Sequence, residues 1–274
     1  MLLKVLVDNT TFTGHRFDGG ESGLCYYIED DGHKILFDTG LTDLFLRNAK
    51  VQGVDLDQVD TIILSHGHYD HCGGLKYFFD RKRPVRVICH PETFVKRVRD
   101  GLDMGPSLSL EEMQERCELI MTDKPYQVTS HITFLGTIPR KLEWEGKKNV
   151  GQLVVGDKLL PDYINDDSAA IYKDEYGVFV ISGCAHSGIC NIVEYAKVVG
   201  ESDNICGVIG GFHLLKLDEQ AERTIQYFKD EMITNVYPCH CTCLPVKAKF
   251  FCEVSQYKEV GVSMELHWPP EFVG

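Results

Sequence analysis

Three histidines and an aspartate lie within six consecutive positions of the sequence, between residues 66 and 71. They follow the apolar run 61–64, which places them at the carboxyl end of a predicted strand. Imidazole and carboxylate groups are ligands that zinc, iron and manganese accept. The spacing predicts a site for two neighbouring ions that share an activated water, with ligands from His66, His68, Asp70 and His71. A solvated polar turn is the plain alternative, and it would seldom gather four metal-binding side chains.

Strands and helices are predicted to alternate around this motif. The elements expected before it are a strand, a β-hairpin and a helix capped by Thr42, which cover residues 2–7, 24–38 and 42–51. Gly73 and Gly74 leave room for a helix to pack closely behind the motif, and residues 85–89 form the next strand. Residues 97–124 interrupt this rhythm. They are interpreted as an insertion that could cover a pocket, and a surface helix without a chemical role is an equally good interpretation.

The remainder of the chain contains further strand and helix patterns. Short strands and a second hairpin are predicted at 126–128, 132–135, 153–155, 168–172 and 177–181. The last third alternates again, with helices that begin after Gly188, at Asp218 and near Pro245, and with strands at 205–209, 235–237 and 263–267. Two sheets packed together with helices outside satisfy this order, in one domain that spans residues 1–274.

Composition restricts the classes of function. The 274 residues are 43% hydrophobic and 25% charged, as in ordinary soluble globular proteins. The formal net charge of -13 argues against a general nucleic-acid binder, which needs a basic surface. No segment approaches the ~20 apolar residues of a membrane span, and Asp8 comes too early for a signal sequence, so a cytoplasmic location is expected. The 11 cysteines lack a disulfide-scaffold spacing and are expected to be reduced thiols.

The order of the motifs resembles that of the metallo-β-lactamase superfamily. The resemblance covers most of the chain, from Phe37-Asp38-Thr39-Gly40 to Tyr237-Pro238-Cys239-His240. It implies an α/β fold of the αββα sandwich type, with a dinuclear metal site at one edge of the sheets. It also implies that Asp38 supports the metal site from behind. The implied ligands are His66 and His68 for the first ion, and Asp70, His71 and His240 for the second.

The middle of the chain departs from the common pattern of this family. After the strand-like run 178–182, Cys184 stands where the family usually has a bridging aspartate. His186 follows two positions later and is expected to supply the missing ligand of the first ion. Cys184 would either bind as a thiolate or lie nearby. Asp166 or Asp167 could also reach the metals, although a polar approach to the hairpin explains this pair better.

Three segments narrow the resemblance to one branch of the superfamily, and they lie at residues 183–188, 210–214 and 239–242. This branch contains the archaeal 7,8-dihydropterin-6-methyl-4-(β-D-ribofuranosyl)aminobenzene 5′-phosphate synthase. The resemblance therefore suggests a phosphorylated substrate related to dihydropterin.

Additional residues are candidates for substrate binding. His213 follows a predicted strand and could donate a hydrogen bond to an oxyanion, or it could merely cap a loop. The helix after Gly188 offers free backbone N–H groups for an anion, with Arg140 and Lys141 as helpers. A separate structural zinc on Cys239, Cys241 and Cys243 is a minor alternative, because the paired Cys-x-x-Cys spacing is absent. The remaining histidines are expected to be structural or exposed, namely His15, His33, His90, His131 and His267.

Together these observations predict a metal-dependent hydrolase, or a related phosphoryl or acyl transferase, that acts on a small anionic substrate. Its cofactors would be two divalent ions, zinc first, with iron or manganese as alternatives. Asp70 would orient the attacking water or accept its proton, and His213 would stabilise developing charge. Two alternatives stay open, namely a di-iron redox protein and a non-catalytic metal or ligand sensor on the same scaffold. The sequence makes no prediction of the oligomeric state.

Overall fold

The chain forms strands and α-helices throughout the residues that the computed structural model describes, which are 1–79, 84–254 and 256–269. The strands are β1 (Leu2–Val7), β2 (Cys25–Asp30), β3 (His33–Phe37), β4 (Thr61–Ile63), β5 (Arg86–Cys89), β6 (Arg97–Arg99), β7 (Leu102–Asp103), β8 (Glu118–Met121), β9 (Tyr126–Gln127), β10 (Ile132–Phe134), β11 (Gly151–Val155), β12 (Lys158–Asp162), β13 (Ala169–Asp174), β14 (Gly177–Ser182), β15 (Ile205–Gly211), β16 (Val236–Cys239) and β17 (Glu265–His267). The helices are α1 (Leu44–Val51), α2 (Tyr69–Cys72), α3 (Leu75–Phe78), α4 (Leu110–Arg116), α5 (Ile189–Val199), α6 (Glu219–Asp230) and α7 (Leu244–Glu253).

The described strands form two large sheets and one small sheet. A 7-stranded sheet has the order β17-β1-β2-β3-β4-β5-β8, and a 6-stranded sheet has the order β16-β15-β14-β13-β10-β9. The small 4-stranded sheet has the order β12-β11-β6-β7. Successive side chains on a strand point to opposite faces, so both faces of a central strand can be buried. In β14, Val178 and Val180 pack into one apolar cluster, while Phe179 and Ile181 pack into another.

Three apolar cores lie between the layers. The first contains buried side chains from both large sheets, including Tyr26, Phe134 and Phe179. The second joins the 7-stranded sheet to side chains of α1 to α4, and the third joins the 6-stranded sheet to α5, α6 and α7. The order is helices, sheet, sheet and helices, which confirms the predicted αββα sandwich.

The parallel strands determine where the polar loops meet. β3, β4, β5 and β8 run parallel in the first sheet, and β14, β15 and β16 run parallel in the second. The carboxyl ends of parallel strands meet at one edge of a sheet. The candidate residues follow five of these strands, with Asp38 after β3, residues 66–71 after β4, residues 184–186 after β14, His213 after β15 and His240 after β16.

The segment 97–124, predicted to be an insertion, contributes to two different sheets. Its first part forms β6 and β7 of the small sheet. Its last part, β8, pairs in parallel with β5 and belongs to the 7-stranded sheet. The helix between them is α4, which Ser109 caps by accepting a bond from the Glu112 amide at 3.2 Å. Residues 109–121 are therefore a helical crossover to an edge strand.

Close packing behind the histidine motif explains its two glycines. A Cβ on Gly73 would lie 2.3 Å from the carbonyl oxygen of Leu41, and one on Gly74 would lie 2.1 Å from that of Thr39. Both positions therefore exclude any side chain. The predicted helix start at Thr42 is shifted slightly, because α1 begins at Leu44 and the Thr42 hydroxyl accepts from the Leu44 amide at 3.2 Å.

Two observations concern the cysteines and the lengths of the helices. All 11 cysteines are free thiols, and no disulfide joins any of them. Among the residues described, no helix is both long enough and apolar enough to cross a membrane.

Candidate metal centre

The histidine motif places two imidazoles side by side after β4. Nε2 of His66 lies 3.0 Å from Nδ1 of His68, and both residues are buried. The ring centroid of His186, which comes from the loop after β14, lies 4.9 Å from each of these rings. Three imidazoles from distant parts of the chain thus form the first half of the site.

The second half of the site gathers around His71. Its Nε2 lies 3.1 Å from Sγ of Cys184 and 3.2 Å from Nε2 of His240. A carboxylate oxygen of Asp70 lies 3.5 Å from the same His240 nitrogen. The cysteine sulfur is common to both halves, because His66, Cys184 and His186 also offer ligand atoms within 4.8 Å of one another. Cys184 therefore lies between the two groups of donors, at the place in the chain where the family usually has an aspartate.

The donor atoms of this site fit divalent metal ions. Neither ring nitrogen of His186 has a hydrogen-bond partner among the described residues, although both are buried. Buried polar atoms rarely lack a partner unless an ion or a water completes them. Burial lowers the pKa of four of the imidazoles and so keeps them neutral, as metal ligation requires, at His66, His68, His186 and His240.

Asp38 lies directly behind the site and is fully buried. It accepts bonds from the amide and the hydroxyl of Ser65, both at 2.7 Å. Its Oδ2 also lies 2.7 Å from Nδ1 of His71, so this nitrogen carries the proton and donates it. The Ser65 hydroxyl, in turn, accepts from Nδ1 of His66 at 2.9 Å. This network directs Nε2 of both imidazoles at the other donor atoms of the site, which is the orientation that metal ligation requires.

His240 is held in the same manner by residues that the sequence analysis did not select. Asp8 accepts a bond from its backbone amide at 2.9 Å. Asn9 Oδ1 lies 2.8 Å from its Nδ1, which directs Nε2 into the site. Asp8 and Asn9 directly follow β1 and are 232 and 231 positions from His240. The only signal in the sequence is a polar pair at a strand end.

Four residues at the site have left-handed backbone conformations. The φ angles are +59° at Asp38, +55° at Ala185, +48° at His213 and +46° at His240. Such conformations are uncommon outside glycine and cluster at functional sites. Each of these residues follows a strand, so the sharp change of direction turns a side chain or its neighbour toward the edge of the sheets.

Asp166 fixes the loop that carries His66 and His68, and it lies outside both groups of donors. Its carboxylate accepts a bond from the Gly67 amide at 2.7 Å and from Arg97 at 3.1 Å. Arg97 is 1% exposed, which makes this a buried ion pair. Its Nε also lies 3.8 Å from Asp162. Asp166 therefore acts on the motif through the backbone, a role that sequence spacing alone did not indicate.

Asp167 also lies outside the two groups of donors that the described residues form. Its carboxylate accepts bonds from the amide of Ser187 at 2.8 Å and from the Ser187 hydroxyl at 2.5 Å. Burial raises its pKa to about 6. The geometry thus gives Asp167 the task of holding the loop next to His186, and it does not support the expected reach to the metals.

The predicted anion site at the start of α5 is wrong, because a side chain of the protein already fills it. Glu145 accepts bonds from the Asn191 amide at 2.5 Å and from the Cys190 amide at 3.4 Å. Arg140 donates to the carbonyls of Gly146, Tyr163 and Ile164 and is therefore a structural residue. The amide of Lys141 donates to Asn191, at 2.9 Å.

The candidate metal ligands open into a cavity of about 320 Å³. Its lining includes His68, Asp70, Cys184, His186, His213 and His240. The ring of His213 lies 4.2 Å from that of His186, between centroids. Burial, together with the charges of Lys148 and Arg99, lowers the pKa of His213 to about 4, so its ring is neutral and one of its two nitrogens carries a proton that it can donate.

The remaining histidines, and two cysteines near His240, have partners outside the candidate metal ligands. Each of the other histidines bonds to a side chain elsewhere, in the pairs His15 with Asp18, His33 with Asp60, His90 with Thr137, His131 with Asp30 and His267 with Glu265. Among the described residues, the possible metal-binding groups include none of Cys239, Cys241 and Cys243. Cys239 bonds to Tyr26, and Cys241 accepts from the His213 amide.

Comparison with known proteins agrees with this geometry. The pattern of the metallo-beta-lactamase superfamily matches residues 18–200, and the chain belongs to that superfamily of metal-dependent hydrolases and related enzymes. Among its relatives is the uncharacterized protein MJ0448 of Methanocaldococcus jannaschii, which is 35% identical over 88% of this chain and 90% of that protein.

Two further relatives carry functional descriptions. The 7,8-dihydropterin-6-methyl-4-(beta-D-ribofuranosyl)-aminobenzene-5'-phosphate synthase of the same organism is 27% identical over 87% of this chain and 86% of the enzyme. The crystal structure of Tm1679, described as a metal-dependent hydrolase of the beta-lactamase superfamily, has a TM-score of 0.82 and 27% identity. The match covers 97% of this chain and 98% of that one. The predicted superfamily is thus confirmed, and the chain is similar to the synthase that the predicted branch contains.

Proposed function

We propose that the protein is a metal-dependent hydrolase, or a related phosphoryl or acyl transferase, with two divalent ions at this site. His66, His68 and His186 would hold the first ion, and the second would bind to Asp70, His71 and His240. Cys184 would contribute its thiolate between them. The observation that supports this most strongly is the orientation of His66, His71 and His240. Each has its Nδ1 fixed by an acceptor and its Nε2 directed at another donor atom of the site, at 3.0 Å for His66 and 3.2 Å for His71 and His240.

The donor set favours zinc or iron. Imidazole suits both metals, and a thiolate favours soft or borderline ions over manganese. Bound divalent ions polarise the group under attack and lower the pKa of water toward neutrality. The residues around them would bind and orient the substrate and handle the protons.

Asp70 is the proposed proton acceptor. Burial raises the pKa of its carboxyl group, which makes the carboxylate a stronger base than an exposed aspartate. Its side chain is 16% exposed, so it reaches the cavity although most of its surface is shielded from solvent. It would orient the attacking water and take its proton.

His213 is the proposed oxyanion donor. Its neutral ring borders the cavity next to His186. Its backbone is fixed, because the His213 amide donates to Cys241 at 3.2 Å. A preorganised N–H group in a nearly dry cavity stabilises charge that develops in the transition state.

The proposed substrate is a small anionic molecule, with a phosphorylated, dihydropterin-related compound as the first choice. The size of the cavity and its basic neighbours, Arg99 and Lys148, support a compact anion. The relationship to the dihydropterin phosphate synthase supports the same class.

The test is a substrate screen with the metal-loaded protein. Zinc-, iron- and manganese-loaded samples are assayed on phosphodiesters, phosphomonoesters, lactones, thioesters and phosphorylated dihydropterins. We expect turnover of at least one class, and its loss in His68→Ala and Asp70→Ala. His267→Ala and Asp60→Ala are matched controls away from the site, and they should keep full activity. A metal-saturated wild type that turns over no class, or full activity in Asp70→Ala, would overturn the proposal in favour of a metal or ligand sensor.

A further inference from the structure

The cavity above the metal-binding groups continues into a second cleft. This cleft has a volume of about 470 Å³, and it shares Arg99, Val150, His213 and Leu215 with the first cavity. Pockets for small ligands usually have volumes of about 300–1,000 Å³. The two spaces together therefore suit a molecule that is longer than the group under attack.

Positive charge is concentrated in this second cleft. Arg99 and Lys148 line it, and both side chains are exposed. The formal net charge of the whole chain is -13, so a basic lining here departs from the rest of the surface. The one acidic residue in the lining is Asp100, whose carboxylate lies 3.8 Å from Nε of Arg99 and is itself exposed. Exposed pairs at that distance are weak and leave the guanidinium available.

The small sheet determines the position of Arg99. Alternate residues of a strand point to the same face, so Arg97 and Arg99 share one face of β6. Arg97 is buried against Asp162 and Asp166, which fixes β6 relative to the loop that carries His66 and His68. β6 also pairs with β11, where Val98 lies opposite Gln152. The buried Arg97 therefore fixes the strand position of Arg99, at the entrance of the cavity that the candidate metal ligands line.

Lys148 reaches the same cleft from the loop before β11, and it also lines a third cavity with His213. His213 connects these spaces with the candidate metal ligands, because its ring centroid lies 4.2 Å from that of His186.

We propose that Arg99 and Lys148 form a subsite for a second anionic group of the substrate, a phosphate dianion remote from the bond that reacts. This inference rests on the proposed function, because the other end of the substrate would lie at the metal-binding groups. The substrate class is then a small molecule with a terminal phosphate monoester and a reactive group several bonds away. A guanidinium and an ammonium together match the charge of that dianion.

Binding of alkane α,ω-bisphosphates to the zinc-loaded protein tests the subsite without any requirement for turnover. Isothermal titration calorimetry compares a series of increasing chain length with the corresponding alkyl monophosphates. We expect the best bisphosphate to bind about tenfold or more tightly than its monophosphate, since a charge-assisted contact to phosphate contributes on that order. Arg99→Gln with Lys148→Gln should remove this preference and leave the zinc content unchanged.

The matched control is Lys96→Gln with Lys158→Gln, which changes the net charge equally at two exposed lysines of the same region. This control should keep the preference. Equal affinity for monophosphates and bisphosphates in the wild type would overturn the subsite, whatever the substrate screen shows. An ω-carboxyalkyl phosphate that binds as tightly as the bisphosphate would overturn the assignment to a dianion. A short single-stranded RNA that binds more tightly than every bisphosphate, through the same two cations, would overturn the assignment to a small molecule.

Discussion

Replacing Asp38 with asparagine should weaken metal binding about 10- to 100-fold while the protein stays folded. The carboxylate accepts three bonds, from the Ser65 amide, the Ser65 hydroxyl and Nδ1 of His71, each at 2.7 Å. Asparagine is one of the few residues that tolerate a φ of +59°, so the substitution preserves the backbone at this position.

The effect comes from the proton on His71. In Asp38→Asn, the carbonyl oxygen can still accept from the Ser65 amide, but an NH₂ group replaces the second oxygen. His71 must then accept at Nδ1 and carry its proton on Nε2, which lies 3.1 Å from Cys184. The proton would occupy the lone pair that the metal needs. The expected loss of affinity corresponds to about 1.4–2.8 kcal/mol.

Competition with a chromogenic chelator measures this affinity, and circular dichroism checks the fold. Asp60→Asn is the matched control, because Asp60 also accepts from a histidine, His33, at 3.3 Å but lies away from the site. It should keep the affinity of the wild type. Metal binding of Asp38→Asn at wild-type strength would refute the account of how the ligands are oriented.

Four further predictions concern protons and catalysis. Burial opposes protonation of His71, but Asp38 and Asp70 outweigh it and raise the pKa of His71 to about 9. Metal binding at neutral pH should therefore release the proton of His71, and the apparent affinity for the metal should rise with pH up to about 9. Burial raises the pKa of the Cys184 thiol, so the thiol must lose a proton when it binds a metal. Calorimetry of metal binding in several buffers should therefore show that Cys184→Ser releases one proton fewer than the wild type, whereas Cys252→Ser, at an exposed cysteine, should release the same number. Equal release in the wild type and both variants would exclude a thiolate ligand. Burial raises the pKa of Glu145 from 4.5 to about 7, so the folded state binds more protons than the unfolded state in that window, and stability should fall by about 3 kcal/mol as pH rises through it. Urea denaturation of Glu145→Gln should lack this slope and the exposed Glu143→Gln should retain it, and a slope shared by both variants would contradict the assignment. Once a substrate is found, His213→Ala should lower kcat about 100-fold or more at unchanged metal content, with partial rescue in His213→Gln, whereas a parallel loss of metal would show that His213 is a ligand.

The part of the site that could be predicted from sequence is the part with a local pattern. The 66–71 motif combines metal-binding side chains with a preceding strand, so its position at a sheet edge follows from short-range information. His186 was selected for a related reason, because it follows a strand and stands close to an unusual cysteine. The structure brings both into one site, together with His240.

The supports of the site depend on contacts between distant segments, which one sequence does not reveal. Asn9 meets His240 across 231 positions, and Arg97 meets Asp166 across 69. The α5 anion site failed for the same reason. The free N–H groups of a helix start are a local property, but their capture by Glu145, 46 positions away, depends on the tertiary fold.

The fold itself was easier to predict from the sequence, because alternating burial and glycine-rich turns mark most strands. Segment 97–124 was the exception. Its last strand, β8, has a burial pattern of partly exposed residues that is typical of a sheet edge, so it lacks the apolar signal of β5. Its membership of the main sheet follows from pairing with β5 and not from its own composition.

The central claim is that donors from distant segments surround two ions. Crystals of the metal-loaded protein, with data collected on both sides of the metal absorption edge, test it most directly. The account predicts two anomalous peaks, one between His66, His68 and His186 and the other between Asp70, His71 and His240, with the Cys184 sulfur near both. A single peak in fully loaded crystals, or peaks away from these side chains, would contradict it.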